Sequence, residues 1–250
     1  MSHAGHTVIV GASSGIGAAL AQELASRGHT LVLIARRKAE LESVAASIKD
    51  SQRGARVITV VHDVSDLDSV GGAFARASDA LDGRIDRVVY AAGIMPKVLP
   101  DEFDTAKDAS MMAVNVVGAM AWLNLAASEF LKRGSGQIVG ISSVAGERGR
   151  VGAPGYNASK AAMTSYLESL RNRLDRHGIS VVTVKPGFIG TDMLRGVEKT
   201  FGVMSARDCA RVIADACERR RQSFFVPWWW GLIALAVRSV PSFIFRRLRV

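Results

Sequence analysis

Short runs of β-branched and other apolar residues alternate with longer amphipathic segments along most of this chain. Such near-continuous apolar runs are typical of strands in a parallel sheet that helices cover on both faces. Because crossovers in such a sheet are right-handed, the alternation predicts an α/β fold with one Rossmann-like, doubly wound parallel sheet of about seven strands. The predicted strands are residues 7–11, 30–35, 56–62, 86–91, 136–141, 179–185 and 223–226. The predicted helices are residues 14–27, 38–50, 66–81, 101–132, 155–176 and 205–219.

A single domain accommodates this sheet, because doubly wound folds often exceed the usual length of roughly 150 residues per domain. Of the 250 residues, 48% are hydrophobic and 22% are charged, a balance that excludes an intrinsically disordered chain. We expect residues 1–222 to form the Rossmann-like domain. Residues 223–250 are expected to supply the last strand and an apolar tail rich in tryptophan and arginine.

The net charge of +9 comes mainly from the end of the chain. Residues 219–250 contain seven arginines and no acidic residue, so the remainder carries only two net positive charges. Because these arginines are interleaved with aromatic residues, they suit an anionic membrane surface at least as well as a polynucleotide. The charge therefore gives no separate indication of nucleic-acid binding, and no nucleic-acid partner is expected.

The tail contains 14 consecutive uncharged residues, 224–237, with three tryptophans at 228–230. Crossing a bilayer takes about 20 apolar residues, so this run is too short to span one. Tryptophans, short apolar stretches and arginines are typical of a segment that lies in the membrane interface. We therefore expect peripheral membrane contact through residues 224–250, with burial against a partner subunit as the alternative. Since no apolar signal segment precedes the first predicted strand, the protein is expected in the cytoplasm, at the inner face of the membrane.

Two cysteines, Cys209 and Cys217, lie in one predicted helix. Eight residues of helical rise separate them by about 12 Å, which is beyond the reach of a disulfide. The sequence has no metal-ligand spacing, so we expect no metal site and two packing thiols in a reducing compartment.

A glycine-rich turn, Gly-Ala-Ser-Ser-Gly-Ile-Gly at residues 11–17, follows the first predicted strand and leads directly into a helix. Glycines permit a tight strand-to-helix turn and a close approach of the backbone to a pyrophosphate. The N-terminus of the helix supplies free N–H groups and a positive dipole end. Its position between strand and helix separates this motif from an ordinary turn. The predicted cofactor contacts are Gly11, Ser13, Ser14, Gly15, Ile16 and Gly17.

The end of the second predicted strand indicates which dinucleotide is bound. An NAD-binding chain would place an acidic residue about 20 residues after the glycines, to bind the ribose 2′-hydroxyl. Here the chain has Arg36 and Arg37, with no carboxylate until Glu40. A guanidinium at this place would pair with a 2′-phosphate, which favours NADPH/NADP+, with Arg36 as the preferred contact and Arg37 beside it. A solvated arginine pair at the start of the next helix is the alternative.

Tyr156 and Lys160 lie one helical turn apart in a predicted helix. A phenol with a pKa of about 10 is a poor acid–base group at neutral pH. An ammonium four positions on lies on the same face and is expected to favour the phenolate, which lowers that pKa. Tyr156 could then exchange a proton with a carbonyl or alcohol oxygen while hydride moves to or from a nicotinamide.

Ser143 precedes Tyr156 by thirteen residues and follows the fifth predicted strand, and Asn115 lies in the long fourth helix. With the glycine turn, this ordered set resembles the short-chain dehydrogenase/reductase family over residues 7 to about 192. The resemblance implies that Ser143 holds the substrate oxygen and that Asn115 supports a proton-relay water beside Lys160. It also implies that Lys160 bonds the nicotinamide ribose, and that the protein forms a homo-oligomer. Ser142, the adjacent serine, is the alternative to Ser143 for this role, and Asn115 could instead bond its own helix.

The same resemblance implies further cofactor contacts. Asp63, after the third strand, would lie near the adenine ring, although it could equally cap the following turn. The family usually has Asn-Asn-Ala-Gly where this chain has Tyr90-Ala91-Ala92-Gly93, so the usual side-chain bracing of the sheet is in question. The remaining implied contacts with the cofactor are Val64, Ala92, Gly93, Pro186, Gly187, Ile189 and Thr191.

Two local stretches, residues 142–148 and 238–246, resemble the decaprenylphosphoryl-2-keto-erythro-pentose reductase members of the family. This resemblance implies a substrate of the polyprenyl-phosphate keto-sugar type. Arg148 and Arg150, in the loop before Tyr156, could meet its phosphate, with solvated loop charges as the alternative.

The sequence thus predicts an NADP(H)-dependent reductase of a hydrophobic or lipid-linked ketone. Reduction of 3-ketosphinganine, a steroid ketone or an acyl ketone remains open within the same chemistry. A regulatory protein that binds a dinucleotide without turnover is the alternative of another class. The complete Ser143, Tyr156 and Lys160 set argues against it, because a binding protein has no need for all three.

Overall fold

Seven parallel strands form the main sheet in the computed structural model, which describes residues 5–195, 197 and 200–248. These strands are β1 His6–Val10, β2 Thr30–Ala35, β3 Val57–Val61, β4 Arg87–Tyr90, β5 Gly136–Ile141, β6 Ile179–Pro186 and β9 Ser223–Val226. Two short strands, β7 Ile189–Gly190 and β8 Met204–Ser205, pair separately. The predicted α/β, doubly wound architecture is confirmed.

Helices cover both faces of the sheet. They are α1 Gly15–Ser26, α2 Lys38–Ser51, α3 Val70–Asp79, α4 Thr105–Met112, α5 Gly118–Arg133, α6 Pro154–Leu174, α7 Ala206–Glu218, α8 Trp230–Ser239 and α9 Ser242–Phe245. Alternate residues of each strand enter opposite cores: Val8 and Val10 join one hydrophobic cluster, and Ile9 joins the other. Burial on both faces explains why the strands are apolar throughout.

The sheet order β3-β2-β1-β4-β5-β6-β9 reverses direction at β1, which pairs with β2 on one side and β4 on the other. In open α/β sheets the ligand crevice lies outside the carboxyl ends of the strands at such a reversal. The turn after β1 and the segment after β4 therefore border the expected cofactor site.

The predicted helix over 101–132 differs from the structure, which has two helices joined by a π-helical turn at Ala113–Val117. Its start moves to Thr105 because the carboxylate of Asp104 accepts hydrogen bonds from the backbone N–H groups of Ala106 and Lys107. Over Thr105–Arg133 the chain is long and apolar enough to cross a membrane by composition, yet half of that stretch is buried in the protein. It is a core helix, with Trp122 and Phe130 fully buried.

Residues 223–248 of the C-terminal tail pack against the rest of the protein. After β9 has paired with β6, α8 buries Trp230 and Ala234. Cys209 and Cys217 are free and buried in α7, as expected for packing residues, and burial raises their pKa values to about 12 and about 11.

Candidate active site

The glycine turn lies at the crevice beside β1 and β4. Gly11 has a φ of +90°, and a Cβ on it would lie 2.3 Å from the backbone nitrogen of Ala92. A Cβ on Gly17 would lie 2.1 Å from the carbonyl oxygen of Gly11. Only glycine permits these approaches, so the turn, the segment after β4 and α1 are held in backbone contact.

The N-terminus of α1 is open to an anion. Ser14 is its N-cap residue, its side chain forms no capping hydrogen bond, and the first turn has no acidic residue. Ile16 lies half-buried in this first turn. The free N–H groups and the dipole of a twelve-residue helix favour negative charge here. These residues fit the pyrophosphate of a dinucleotide.

The two arginines after β2 have different surroundings. Arg37 donates hydrogen bonds from Nη2 to the hydroxyls of Ser13 and Ser14, at 2.9 and 2.7 Å, so its guanidinium lies over the glycine turn. Arg36 is exposed and lies 3.5 Å from the carboxylate of Asp63. The structure therefore brings Arg37, rather than the preferred Arg36, to the predicted phosphate-binding loop.

Asp63 stabilises the turn after β3. Its Oδ1 accepts hydrogen bonds from the backbone N–H and the hydroxyl of Ser65, which together with Arg36 lower the pKa of Asp63 against the opposing effect of burial. Val64 is buried, and its carbonyl would lie 2.6 Å from a Cβ on Gly118. This turn is thereby packed against the start of α5.

Tyr90 replaces the bracing that the missing asparagines were expected to provide. Its hydroxyl donates a 2.6 Å hydrogen bond to the carbonyl oxygen of Val114, and the side chain is fully buried. The bond ties the end of β4 to the π-helical turn. Burial raises the pKa of Tyr90 well above its usual range, so the phenol remains a donor.

Asn115 is held at the centre of the π-helical turn. Its Oδ1 accepts a 2.8 Å hydrogen bond from the N–H of Ile94, and its Nδ2 donates to the carbonyl of Ile94 and to the hydroxyl of Ser159. Asn115 therefore links the segment after β4 to α6 and does not bond its own helix. A Cβ on Gly93 would lie 3.3 Å from Oδ1 of Asn115 and 3.5 Å from Nζ of Lys160. The π turn is the local distortion that directs this side chain inward, and such turns are frequent at functional sites.

Tyr156 and Lys160 are buried in the first two turns of α6. Lys160 donates a 2.9 Å hydrogen bond from Nζ to the carbonyl oxygen of Ile141 at the end of β5, and its Nζ lies 5.7 Å from the centre of the Tyr156 ring. Because burial disfavours its charge, the pKa of Lys160 falls to about 8.

The pKa of Tyr156 is raised, and the cause is its burial. The prediction that Lys160 lowers this pKa differs from the structure, in which a hydrogen bond with Ser143 and the charge of Arg150 oppose the effect of burial. The Lys160 ammonium lies over the ring of Tyr156 and donates its hydrogen bond to the backbone carbonyl of Ile141.

Ser142 and Ser143 have separate roles. Ser142 bonds the carbonyl of Lys160 and the hydroxyl of Thr164, which fastens β5 to α6. Ser143 caps the 3-10 turn Val144–Glu147 by accepting a hydrogen bond from the N–H of Ala145, and its nearness to Tyr156 lowers the pKa of that phenol. The geometry therefore brings Ser143, and not Ser142, to the tyrosine hydroxyl.

A cavity of about 670 Å³ opens in front of these residues. Its walls come from the glycine turn, the segment after β4, α4 and the loop after β7: Ser14, Gly93, Ile94, Met95, Pro96, Ala106, Lys107, Ser110, Asp192 and Met193. The sulfur of Met193 lies 3.9 Å from the hydroxyl of Tyr156, and Thr191 lies beside Gly15. The cavity thus extends from the N-terminus of α1 toward the hydroxyl of Tyr156.

Pro186, Gly187 and Ile189 lie between the end of β6 and the tail. Pro186 and Ile189 are buried, and Gly187 faces the indole of Trp230, because a Cβ on Gly187 would lie 1.9 Å from its Nε1. Close packing against Trp230 therefore explains why residue 187 is a glycine, independently of any contact with a cofactor.

The two arginines that were expected to meet a substrate phosphate also differ. Arg148 donates to the carbonyl oxygens of Val237 and Val240 and lies over the ring of Phe245, so its guanidinium is engaged by the tail. Arg150 is partly buried beside Tyr156, and burial lowers its pKa. Of the pair, only Arg150 is placed to act at the tyrosine. Among the described residues there is no group of three or more potential metal ligands.

Comparisons with known proteins identify the family. A family model described as short chain dehydrogenase matches residues 5–201. An uncharacterized oxidoreductase of Mycobacterium tuberculosis is 33% identical over 242 residues, which cover 96% of this chain and 95% of the relative. An 11-beta-hydroxysteroid dehydrogenase-like 2 of Arabidopsis thaliana is 32% identical over 244 residues, 95% of this chain and 78% of the relative. The structure of a short-chain dehydrogenase from Sphingobium yanoikuyae in complex with NADPH has 27% identity, a TM-score of 0.82 and 93% coverage of both chains. This chain belongs to the short-chain dehydrogenase family, an oxidoreductase family.

Proposed function

We propose that this protein is an NADP(H)-dependent oxidoreductase that transfers hydride between the nicotinamide and a ketone or secondary alcohol. The position of Ser143 beside the Tyr156 hydroxyl, whose pKa it lowers, supports the proposal most directly. Two hydroxyls at one point can hold a carbonyl oxygen and move a proton to or from it. Lys160, on the same helix, fixes α6 to the end of β5.

In this proposal Ser143 holds the substrate oxygen and Tyr156 exchanges its proton. Lys160 and Asn115 border Gly93 together, so a proton could pass from the tyrosine side toward solvent along polar groups that α6 and the π turn hold in place. When bound, NADPH supplies the hydride. Burial of Tyr156 and Lys160 excludes bulk water from these groups.

The preference for NADP(H) rests on the charge at the end of β2. Arg37 bonds Ser13 and Ser14 of the glycine turn directly, while Arg36 lies beside Asp63 in the turn after β3. A 2′-phosphate placed there would gain charge-assisted hydrogen bonds. The Sphingobium yanoikuyae relative, whose structure contains NADPH, agrees with this preference.

The walls around Tyr156 favour a hydrophobic ketone. Apolar residues from the segment after β4, from α4 and from the loop before α6 pack around it: Ile94, Met95, Val98, Met111, Ala145 and Ala153. A steroid, an acyl ketone or 3-ketosphinganine would suit these walls, and the name of the Arabidopsis thaliana relative refers to a hydroxysteroid. For a polyprenyl-phosphate keto-sugar, Arg150 remains as the phosphate contact, since Arg148 is held by the tail.

The outer face of the tail supports the proposal of peripheral membrane contact. Trp228, Leu232 and Leu235 follow at helical spacing and are 73%, 62% and 65% exposed. Exposed Phe243, Ile244 and Leu248 continue the apolar surface, and residues 219–250 supply seven arginines and no acidic residue of their own. A basic and aromatic surface of this kind suits an anionic lipid interface at the inner face of the membrane.

Catalysis is tested by following NADPH oxidation with a detergent-solubilised 3-keto steroid, 3-ketosphinganine and a polyprenyl-phosphate keto-sugar. Tyr156→Phe should abolish turnover of the reduced substrate while NADPH still binds. Tyr166→Phe is the matched control on the same helix, because its hydroxyl bonds Asn124 at the surface. Binding of NADPH without turnover of any ketone would instead indicate a non-catalytic dinucleotide-binding protein.

Membrane contact is tested with the full chain, because an end at residue 222 would remove β9 from the main sheet. The double variant Leu232→Asp, Leu235→Asp should lose co-sedimentation with phosphatidylglycerol vesicles. Leu131→Asp, at an exposed position on α5, is the control. Equal vesicle binding by all variants would refute membrane contact through the tail. Sedimentation velocity measurements on the same samples test separately whether the protein is the expected homo-oligomer.

A further inference from the structure

The inner face of the C-terminal tail lies against two segments that border the catalytic residues. Trp230 packs on Gly187 and contacts the ring of Phe188, with ring centres 5.4 Å apart. Trp229 and Trp230 stack on each other, and both meet Phe201. The tail thus covers the chain after β6, which leads to the cavity wall at Met193.

The other contact of the tail is with the loop that follows Ser143. Arg148 lies five residues after Ser143, and its Nη1 donates to the carbonyl oxygens of Val237 and Val240. These carbonyls lie at the end of α8, where a helix has acceptors without intrahelical partners. The guanidinium also lies 3.9 Å from the centre of the Phe245 ring, so one side chain holds both α8 and α9.

Glu147 holds the same loop from the other side. Its side chain is almost fully buried and lies 2.7 Å from Lys185 near the end of β6 and 3.3 Å from Arg238 in the last turn of α8. Two consecutive loop residues therefore attach the end of α8 to the loop and to the main sheet.

We propose that Arg148 is a positioning residue that caps the C-terminal end of α8 and fastens the tail to the loop after Ser143, so that the tail holds in place the wall of the substrate cleft that the two bordering segments form. The role in substrate binding rests on the proposed reductase function. The fastening itself rests on the contacts with Val237, Val240 and Phe245 alone. This role differs from direct contact with a substrate phosphate, because the donors of Arg148 face the tail.

Hydrogen exchange measured by mass spectrometry tests the fastening. In Arg148→Gln, amides of α8 and of residues 144–150 should exchange at least about tenfold faster than in the wild type, while those of β1 and α1 stay unchanged, because a local opening becomes easier. Arg148→Lys keeps one charged donor without the planar fork and should fall between the two. Phe245→Ala, which removes the ring and keeps the arginine, should show a smaller change in the same peptides. Arg207→Gln, an exposed arginine of α7, is the control.

Kinetics with a detergent-solubilised 3-keto steroid test the consequence for the cleft. We expect KM to rise at least about fivefold in Arg148→Gln, with kcat within about twofold and the Kd of NADPH unchanged, because the wall binds substrate and does not touch the reacting atoms. Unchanged exchange in α8 would overturn the proposal, and unchanged exchange with a raised KM would show that Arg148 contacts the substrate directly. Faster exchange with an unchanged KM would overturn the role of the tail in holding the cleft wall. Exchange needs no substrate, so absence of turnover in the wild type would refute the proposed function while the fastening is still decided.

Discussion

Tyr90→Phe removes one hydroxyl from the centre of the molecule. In the wild type that hydroxyl bonds the carbonyl of Val114 at 2.6 Å and lies over Gly118, whose missing Cβ would be 2.9 Å away. A lost neutral hydrogen bond costs about 0.5–1.5 kcal/mol, and more where a buried acceptor is left without a partner. We expect the free energy of unfolding to fall by about 1–2 kcal/mol. For a chain of this length, each kcal/mol lowers Tm by about 2–4 °C.

Urea denaturation followed by circular dichroism measures this change, with Tyr166→Phe as the control. The Tyr166 hydroxyl bonds Asn124 at the surface, so its loss should stay within about 0.5 kcal/mol. Because the lost bond anchors the π turn that carries Asn115, turnover should also fall in Tyr90→Phe. Equal stability of Tyr90→Phe and the wild type would refute the idea that this phenol braces the sheet.

Three further results are expected. Arg37→Ala should weaken NADPH binding about 10- to 100-fold in a fluorescence titration, and it should change NADH binding little. Arg36→Ala should weaken NADPH binding less. The reverse order of the two variants would restore Arg36 as the main contact. Burial lowers the pKa of Lys160 from the usual 10.5 to about 8, so between these values the unfolded chain binds more protons than the folded one. Stability should therefore rise with pH across that window, and urea denaturation of Lys160→Met at the same pH values should lack this rise. Glu147→Gln should cost about 3–5 kcal/mol in urea denaturation, because it leaves Lys185 buried without its counter-charge; a loss below about 1 kcal/mol would contradict this.

The fold was predictable because burial on both faces of a parallel sheet leaves a continuous apolar signature in each strand. The strand at 223–226 could be recognised in this way even though a tryptophan-rich tail follows it directly. The prediction of one continuous helix over 101–132 was wrong. A π turn adds only one residue to a turn of helix and leaves the apolar pattern of the sequence intact, so the pattern does not reveal it.

The meeting of Ser143, Tyr156 and Lys160 was predictable from spacing, but their electrostatics were not. Because Lys160 follows Tyr156 by four residues, both lie on the same face of the helix. The direction of the lysine side chain, however, depends on the carbonyl of Ile141, which belongs to β5. Likewise, the charge of Arg150 on Tyr156 depends on how the loop before α6 folds back, which no local pattern encodes.

The departures from the family pattern were visible in the sequence, but not their consequences. Tyr90 stood out where asparagine is usual, and only the packing on Gly118 and Val114 reveals that it supplies the bracing itself. Arg148 has the charge expected of a phosphate contact. Its hydrogen bonds to the tail join residues about ninety positions apart, so no local pattern in the sequence indicates them.

The central claim is that Ser143 and Tyr156 direct hydride transfer to a carbonyl carbon. NADPH that carries deuterium at the transferable position of the nicotinamide tests it most directly, with mass spectrometry of the alcohol formed from a reduced ketone. We expect one deuterium on the carbinol carbon with the wild type and with Tyr166→Phe, and none with Tyr156→Phe. An alcohol without deuterium from the wild type, or an equal yield of labelled alcohol from Tyr156→Phe, would contradict it.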